Sequence, residues 1–289
     1  MDLRGLTALV TGASQGLGVE IASTLLAEGA HVVITARSES GLLNVRDTLS
    51  ERCREGQRCI AVPGDVAVTA DTDTVIETAI AETSRLDIVV NNASIFGPMG
   101  HLEDVSWAHW VETMNVNLLG TVYMCRAAIP HLKEAPRGKI VNISGGGAAR
   151  PFPSLCAYAA SKAAVVRFTE ELAEEMRPYG IDVNVVAPGP LNTRFVDEAI
   201  AAGPEKLGPA LYDEIMEIRK SGGTPFEFAA GLCAYLGSRR SDGVTGKFVS
   251  ARHDEWSTLH ERLDEIDHSE LYTMRRIDPY VIKKYSGKL

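Results

Sequence analysis

Tyr158 and Lys162 stand four residues apart in AYAASKAAVVRFTEELAEEM, a spacing that puts both on one face of a helix. A tyrosine titrates near pH ~10 in water, and a neighbouring ammonium stabilises its phenolate, so such a pair makes a proton donor and acceptor usable closer to neutrality. Alone, a Tyr-Lys pair at helical spacing reads as an ordinary surface contact. A second group lies far upstream, in LVTGASQGLGVEIASTLLAEGA, where Gly12, Gly16 and Gly18 fall between an apolar run and a helical pattern. Glycines there let backbone N–H groups and the positive end of a helix dipole approach a pyrophosphate. The spacing is GxxxGxG, not GxGxxG, and Ser14, Gln15 and Leu17 belong to the same turn. Arg37 comes about 20 positions on, where NAD binders carry a carboxylate for the ribose 2′-hydroxyl; a guanidinium in that place favours the 2′-phosphate of NADP(H) over NAD(H). A third feature is KIVNISGGGAARPFPS, in which Ser144 precedes three consecutive glycines, Gly145 to Gly147.

These groups are far apart in the chain and need a scaffold that gathers them. Seven apolar, β-branched runs (TALVT, HVVIT, RCIAV, LDIVVN, KIVNIS, IDVNVVA and GKFVS) alternate with helical patterns over residues 16–28, 42–53, 72–83, 107–132, 155–176 and 226–238. Strands that alternate with helices and are apolar nearly throughout imply an α/β fold with a parallel sheet covered by helices on both faces. With 289 residues, 45% of them hydrophobic, one domain over residues 1–250 is expected. A formal charge of -9 disfavours a nucleic acid or an anionic membrane as partner, since such binding rests on basic patches. No run of about 18 apolar residues offers a membrane span, and the short apolar N-terminal run does not read as a signal peptide, so a cytoplasmic protein is expected. The cysteines, Cys53, Cys59, Cys125, Cys156 and Cys233, are scattered and odd in number, as reduced thiols are. The histidines form no HxxxH pair, and no metal site is expected.

Six short motifs follow one another at coherent spacing: TGASQGLG (Thr11 to Gly18), GDV (Gly64 to Val66), NNAS (Asn91 to Ser94), NLLG (Asn117 to Gly120), YAASK (Tyr158 to Lys162) and PGPLNT (Pro188 to Thr193). Over residues 3–250 the chain resembles the short-chain dehydrogenase/reductase family. The resemblance implies a Rossmann-type, doubly wound sheet of seven strands in the order 3-2-1-4-5-6-7, assembled as a homotetramer or homodimer. It makes Tyr158 the proton donor to a substrate carbonyl, and Lys162 the group that binds the nicotinamide ribose and lowers the Tyr158 pKa. Asn117 resembles the asparagine that holds a relay water; read from local chemistry alone, it satisfies backbone. Asp65 and Val66 would contact adenine. Asn91 would steady the central strand, with Asn92 and Ala93 beside the cofactor. Thr193 would bind the carboxamide, with Pro188, Gly189 and Leu191 of the same motif along the cofactor.

Three departures qualify the transfer. Ser94 stands where the family commonly has glycine, tolerable at a negative φ. The usual closing VDGG is replaced by VSARHDEW. Family members carry an orienting hydroxyl thirteen residues before the tyrosine, and here that position is Gly145. Side chains alternate along a strand, so Ser144 faces away from the substrate unless the glycines let it swing inward; a backbone N–H or the substrate itself is the alternative. Residues 190–224, including PALYDEIMEIRK, have the amphipathic character of a substrate lid. The tail, residues 251–289, carries Trp256, Leu259, Leu263 and Ile266 at helix-like spacing and is expected to pack on its own domain or a neighbouring subunit; Arg275 and Arg276 offer an anion contact instead. The reading is an NADP(H)-dependent oxidoreductase acting on a small-molecule carbonyl or secondary alcohol. Its rivals are an epimerase or dehydratase that keeps its cofactor bound, and a catalytically silent dinucleotide sensor.

Overall fold

A computed structural model describes residues 1–279. The first half runs β1 (Thr7–Thr11), α1 (Leu17–Ala27), β2 (His31–Ala36), α2 (Glu39–Ser50), β3 (Cys59–Pro63), α3 (Thr69–Thr83) and β4 (Ile88–Asn91). It continues through α4 (Trp107–Met114), α5 (Gly120–Leu132), β5 (Lys139–Ile143), α6 (Cys156–Met176) and β6 (Asp182–Ala187). Three helices follow, α7 (Arg194–Ala202), α8 (Pro204–Leu207) and α9 (Pro209–Ser221), and then α10 (Phe226–Leu236), β7 (Phe248–Ser250) and α11 (Leu263–Asp267). The strands form one parallel sheet in the order β3-β2-β1-β4-β5-β6-β7, as the family resemblance implies.

The doubly wound arrangement can be read from single residues. Along β1, Ala8 and Val10 pack with α1 and α10 in one apolar cluster, while Leu9 between them packs with α3 and α5 in another. Period-2 alternation therefore sends neighbouring side chains into two separate cores, and both must be apolar. β1 pairs with β2 on one side and β4 on the other, so the chain reverses direction across the sheet there. Such a switch point opens a crevice at the carboxyl ends of the strands.

Two elements differ from the helical patterns in the sequence. The stretch expected as one helix over residues 107–132 is helical throughout, but a π-helical turn at Asn115–Leu119 joins α4 to α5 and widens the turn that carries Asn117. Within residues 190–224, α7 and α8 form in addition to the expected α9. Thr193 caps α7 by accepting a hydrogen bond from the Phe195 N–H at 3.3 Å.

The tail runs back over the domain. Leu259 and Ile266 are fully buried in the main core, with Trp256 and Leu263 packed against it. Residues 256–262 form a 3₁₀ helix, a tighter coil than the expected α-helix. Phe248 on the edge strand β7 donates its N–H to the Tyr272 carbonyl at 2.6 Å. Arg275 pairs with the buried Glu170 of α6 at 3.0 Å, which fastens the tail to that helix; Arg276 pairs with Asp278 at 2.9 Å at the exposed surface. Of the tail considered in the sequence, residues 280–289 lie outside the described residues. Among the described residues no helix is long and apolar enough to cross a membrane.

Candidate active site

A cleft of about 1720 Å³ follows the carboxyl ends of the strands. At one end, α1 starts at Gly16 without any side-chain cap, leaving its first N–H groups for a ligand. The turn must lie flat against the next strand end. A Cβ at Gly12 would sit 2.7 Å from the Ala93 α-carbon, and one at Gly18 only 2.4 Å from the Gly12 carbonyl oxygen. Thr11 ties the two segments together, its hydroxyl accepting from the N–H groups of Asn92 and Ala93 at 3.0 Å each. Asn92 returns its side-chain amide to the carbonyls of Thr11 and Gly12 at 2.9 and 3.2 Å. Gly12, Ser14, Gln15, Gly16 and Leu17 line the cleft, and Gly18 is the packing glycine behind them. Close backbone approach and free helix N–H groups are what a pyrophosphate requires, so this end fits a dinucleotide.

Arg37, half exposed at the end of β2, also lines the cleft, with Asp65 and Val66 at the end of β3. Its guanidinium lies 3.9 Å from Asp65 and 4.0 Å from Glu112, contacts long enough to yield to a closer anion. Across the cleft, Pro188, Gly189, Leu191 and Thr193 line the wall that follows β6, and the Thr193 methyl comes within 3.8 Å of where a Cβ on Gly16 would point. Ser94 lines the cleft as well and has no left-handed backbone, so its side chain costs no strain.

At the other end of the same cleft, Tyr158 and Lys162 project from the first turns of α6, at 8% and 2% exposure. The Lys162 ammonium donates to the Ile143 carbonyl at 3.0 Å and lies 5.8 Å from the Tyr158 ring centre. Burial penalises both charged forms: it pushes the lysine pKa down to about 7 and the tyrosine up to about 12. The direction at Tyr158 is thus set by desolvation and not by the ammonium, opposite to what the resemblance implies for the protein alone.

Gly145 is extended (φ -176°, ψ 173°), so the strand alternation carries through it. An added Cβ at Gly145 would lie 2.7 Å from the Tyr158 hydroxyl oxygen, which makes Gly145 the residue that faces the tyrosine hydroxyl. Ser144 does not swing toward it. Its hydroxyl donates to the Lys162 carbonyl at 3.0 Å, fastening the strand end to α6. Asn117 is 1% exposed, and its side chain pairs reciprocally with Ile95, accepting from the N–H at 2.8 Å and donating to the carbonyl at 3.0 Å, with a further bond to Ser161 at 3.0 Å. It lies behind the cleft wall. Asn91 joins Asn142 at 2.9 Å, and Asn142 reaches Thr169 of α6 at 2.9 Å, a buried chain that sets α6 against the sheet.

Sequence reasoning missed the surroundings of the Tyr158 ring. Phe96 meets it edge-on at 4.9 Å, and Phe195 at 6.2 Å. These phenylalanines follow the named NNAS and PGPLNT motifs by two residues each, the one signal that would have marked them. Above them α7 and α9 cover the cleft, and Arg150 of the β5–α6 loop reaches Glu214 of α9 at 2.6 Å.

One unbroken cleft from an uncapped helix to a buried Tyr-Lys pair is the plan of a doubly wound dinucleotide enzyme. Residues 6–202 match the family described as short chain dehydrogenase. The chain is 36% identical over 251 residues to 3beta-hydroxysteroid dehydrogenase 1 of Eggerthella lenta, covering 85% of this chain and 91% of that one. It is 31% identical over 247 residues to dehydrogenase/reductase SDR family member 4 of Sus scrofa, covering 86% of each. The crystal structure of levodione reductase superposes with a TM-score of 0.78 at 25% identity, over 90% of this chain and 99% of that one. The chain belongs to the short-chain dehydrogenase family and is an NAD(P)-dependent oxidoreductase.

Proposed function

We propose that this enzyme uses NADP(H) to interconvert a carbonyl compound and its secondary alcohol, with Tyr158 as the acid and base. The observation that carries the proposal is the Tyr158 hydroxyl facing bare backbone at Gly145 while the Lys162 ammonium is buried one helical turn away. Bound along the cleft, the nicotinamide cofactor supplies or accepts the hydride. In reduction the Tyr158 hydroxyl gives its proton to the carbonyl oxygen; in oxidation the phenolate takes it back. The Lys162 ammonium, held by the Ile143 carbonyl, stabilises the phenolate that this transfer leaves. Ser144 and Asn117 are positioning residues in this reading: one pins α6 at the Lys162 carbonyl, and the other braces Ile95 and Ser161. Helices α7 and α9 exclude water from the reacting centre.

Arg37 supports the choice of NADP(H) over NAD(H), because β2 ends without a carboxylate and the guanidinium is only loosely paired. Two relatives whose names specify dehydrogenases or reductases agree with carbonyl and alcohol chemistry without fixing the substrate. In this proposal the protein works in the cytoplasm as a homotetramer or homodimer, and light scattering on purified protein reads the oligomeric state. The cofactor assignment is tested by titrating NADPH and NADH into wild type and Arg37→Ala. The expected result is tighter NADPH binding that weakens about 10-fold or more in the variant. NADH binding as tight as NADPH, unchanged by Arg37→Ala, would overturn it.

A further inference from the structure

Resting on that oxidoreductase reading, we propose that Arg150 is a positioning residue: by clasping Glu214 it holds helix α9 over the Tyr158 end of the cleft and so keeps bound substrate in place. Both residues line the cleft, one from the β5–α6 loop and one from α9. Two nitrogens of the guanidinium meet the two carboxylate oxygens, at 3.3 and 2.6 Å, and its carbon stands 4.6 Å from the centre of the Phe152 ring. A forked pair stacked on an aromatic face fixes the orientation of the contact as well as its charge. The anchor is short. The Arg150 N–H donates to the Gly146 carbonyl at 3.1 Å, in the turn whose Gly145 faces the Tyr158 hydroxyl.

On the other side of the clasp, α9 reaches the tyrosine. Ile215, the neighbour of Glu214, is buried in the same apolar cluster as Tyr158, with Leu211, Tyr212 and Ile218 packed against it. A shift of α9 therefore moves the wall of the reacting end. The backbone on either side of the helix suits such a shift: α9 lies between Gly208 at φ 76° and Gly222 at φ 83°, and a Cβ at either would meet nothing within 4 Å. Backbone conformation and not crowding calls for glycine at both places, as at the ends of a segment that turns about hinges. Arg219 of α9 also pairs with Asp197 of α7, so the two helices move together. The Arg150–Glu214 pair is half exposed and adds little to the stability of the fold. A contact of that strength biases α9 toward the closed position and still lets go in each turnover.

The test is a double-mutant cycle on the full-length enzyme: wild type, Arg150→Ala, Glu214→Ala and the double variant. Steady-state kinetics are run at saturating NADPH with whichever of 2-octanone, acetophenone and ethyl acetoacetate wild type reduces fastest. The ketone KM is expected to rise about 5-fold in each single variant, the scale of one exposed ion pair, without a fall in kcat. In the double variant the rise is again about 5-fold, where independent effects would multiply to about 25-fold. A second readout, free of turnover, is limited digestion of the NADP-loaded protein. Cleavage within residues 203–223 is expected to be faster in both single variants and no faster in the double. An unchanged KM, effects that multiply in the double variant, or a fall in kcat at unchanged KM would overturn the clasp. If neither these ketones nor the matching alcohols with NADP are turned over, the oxidoreductase reading fails and the digestion alone decides: cleavage that neither substitution speeds overturns the clasp as well.

Discussion

A methyl group added at Gly145 probes how closely the protein sets the Tyr158 hydroxyl. The Gly145→Ala Cβ would start 2.7 Å from that oxygen, and ordinary van der Waals contact begins at 3.4 Å, so the pair must separate by about 0.7 Å. The backbone is extended and accepts alanine without strain, which leaves the displacement to the tyrosine. The phenol oxygen is rigid with its ring, and Phe96 at 4.9 Å and Phe195 at 6.2 Å pack against that ring, so hydroxyl and ring are displaced together. Misplacing a reacting group by about 1 Å costs up to roughly 100-fold in rate; kcat is therefore expected to fall about 10- to 100-fold. The NADPH dissociation constant should stay near wild type, because the phosphate turn does not change. Steady-state kinetics with the ketone that wild type reduces fastest, beside fluorescence titration of NADPH, measures both. A Gly145→Ala enzyme within twofold of wild-type kcat, or a Gly145→Ser enzyme faster than wild type, would refute the reasoning.

Further expectations concern the buried charges. Lowering the Lys162 pKa from 10.5 to about 7 by burial corresponds, at about 1.4 kcal/mol per pH unit, to at most roughly 5 kcal/mol held against the charged form. The unfolded chain keeps that proton up to its ordinary pKa while the folded chain releases it near 7, so this contribution to stability rises with pH across that window and is least below it. Lys162→Met should therefore unfold at higher urea than wild type near pH ~6, with the advantage shrinking toward pH ~10; a variant less stable than wild type near pH ~6 would count against the cause assigned. Glu170, buried in α6, accepts from the Met274 N–H at 2.8 Å and from Arg275 at 3.0 Å. Glu170→Ala should cost about 1–3 kcal/mol and speed proteolysis within the tail while leaving kcat unchanged, as thermal melts and limited digestion would read.

The sheet was legible because its central strand β1 is apolar on both faces: Ala8, Leu9 and Val10, all fully buried, needed no partner information to be recognised as interior. The direction of Ser144 was only half legible: alternation along the strand turns it away, while the three glycines left a swing inward open, and it is the extended backbone at Gly145 that decides. What stayed hidden depends on contacts distant in sequence. Asn117 finds its partners in Ile95 and Ser161, and nothing in NLLG names either. A π-turn inserts one residue into the hydrogen-bonding pattern and leaves no mark in composition. Helices α7 and α8 are short, broken at Gly203 and Gly208, and bury Val196, Ala199 and Leu207 in a small cluster around Tyr158, apart from the main core. Their apolar stripe was too brief to register as a helix. The tail's apolar spacing predicted its packing but not its coil, since Trp256 and Leu259 at i and i+3 suit a 3₁₀ helix as well as an α-helix.

The central claim is that Tyr158 carries the proton. The most direct test is kcat of Tyr158→Phe with NADPH and the ketone that wild type reduces fastest, with NADPH binding measured on the same preparation. The phenyl ring keeps the Phe96 and Phe195 contacts and removes only the hydroxyl. The account predicts a fall in kcat of about 100- to 10,000-fold with NADPH affinity within about twofold of wild type. A Tyr158→Phe enzyme that turns over at the wild-type rate would contradict it.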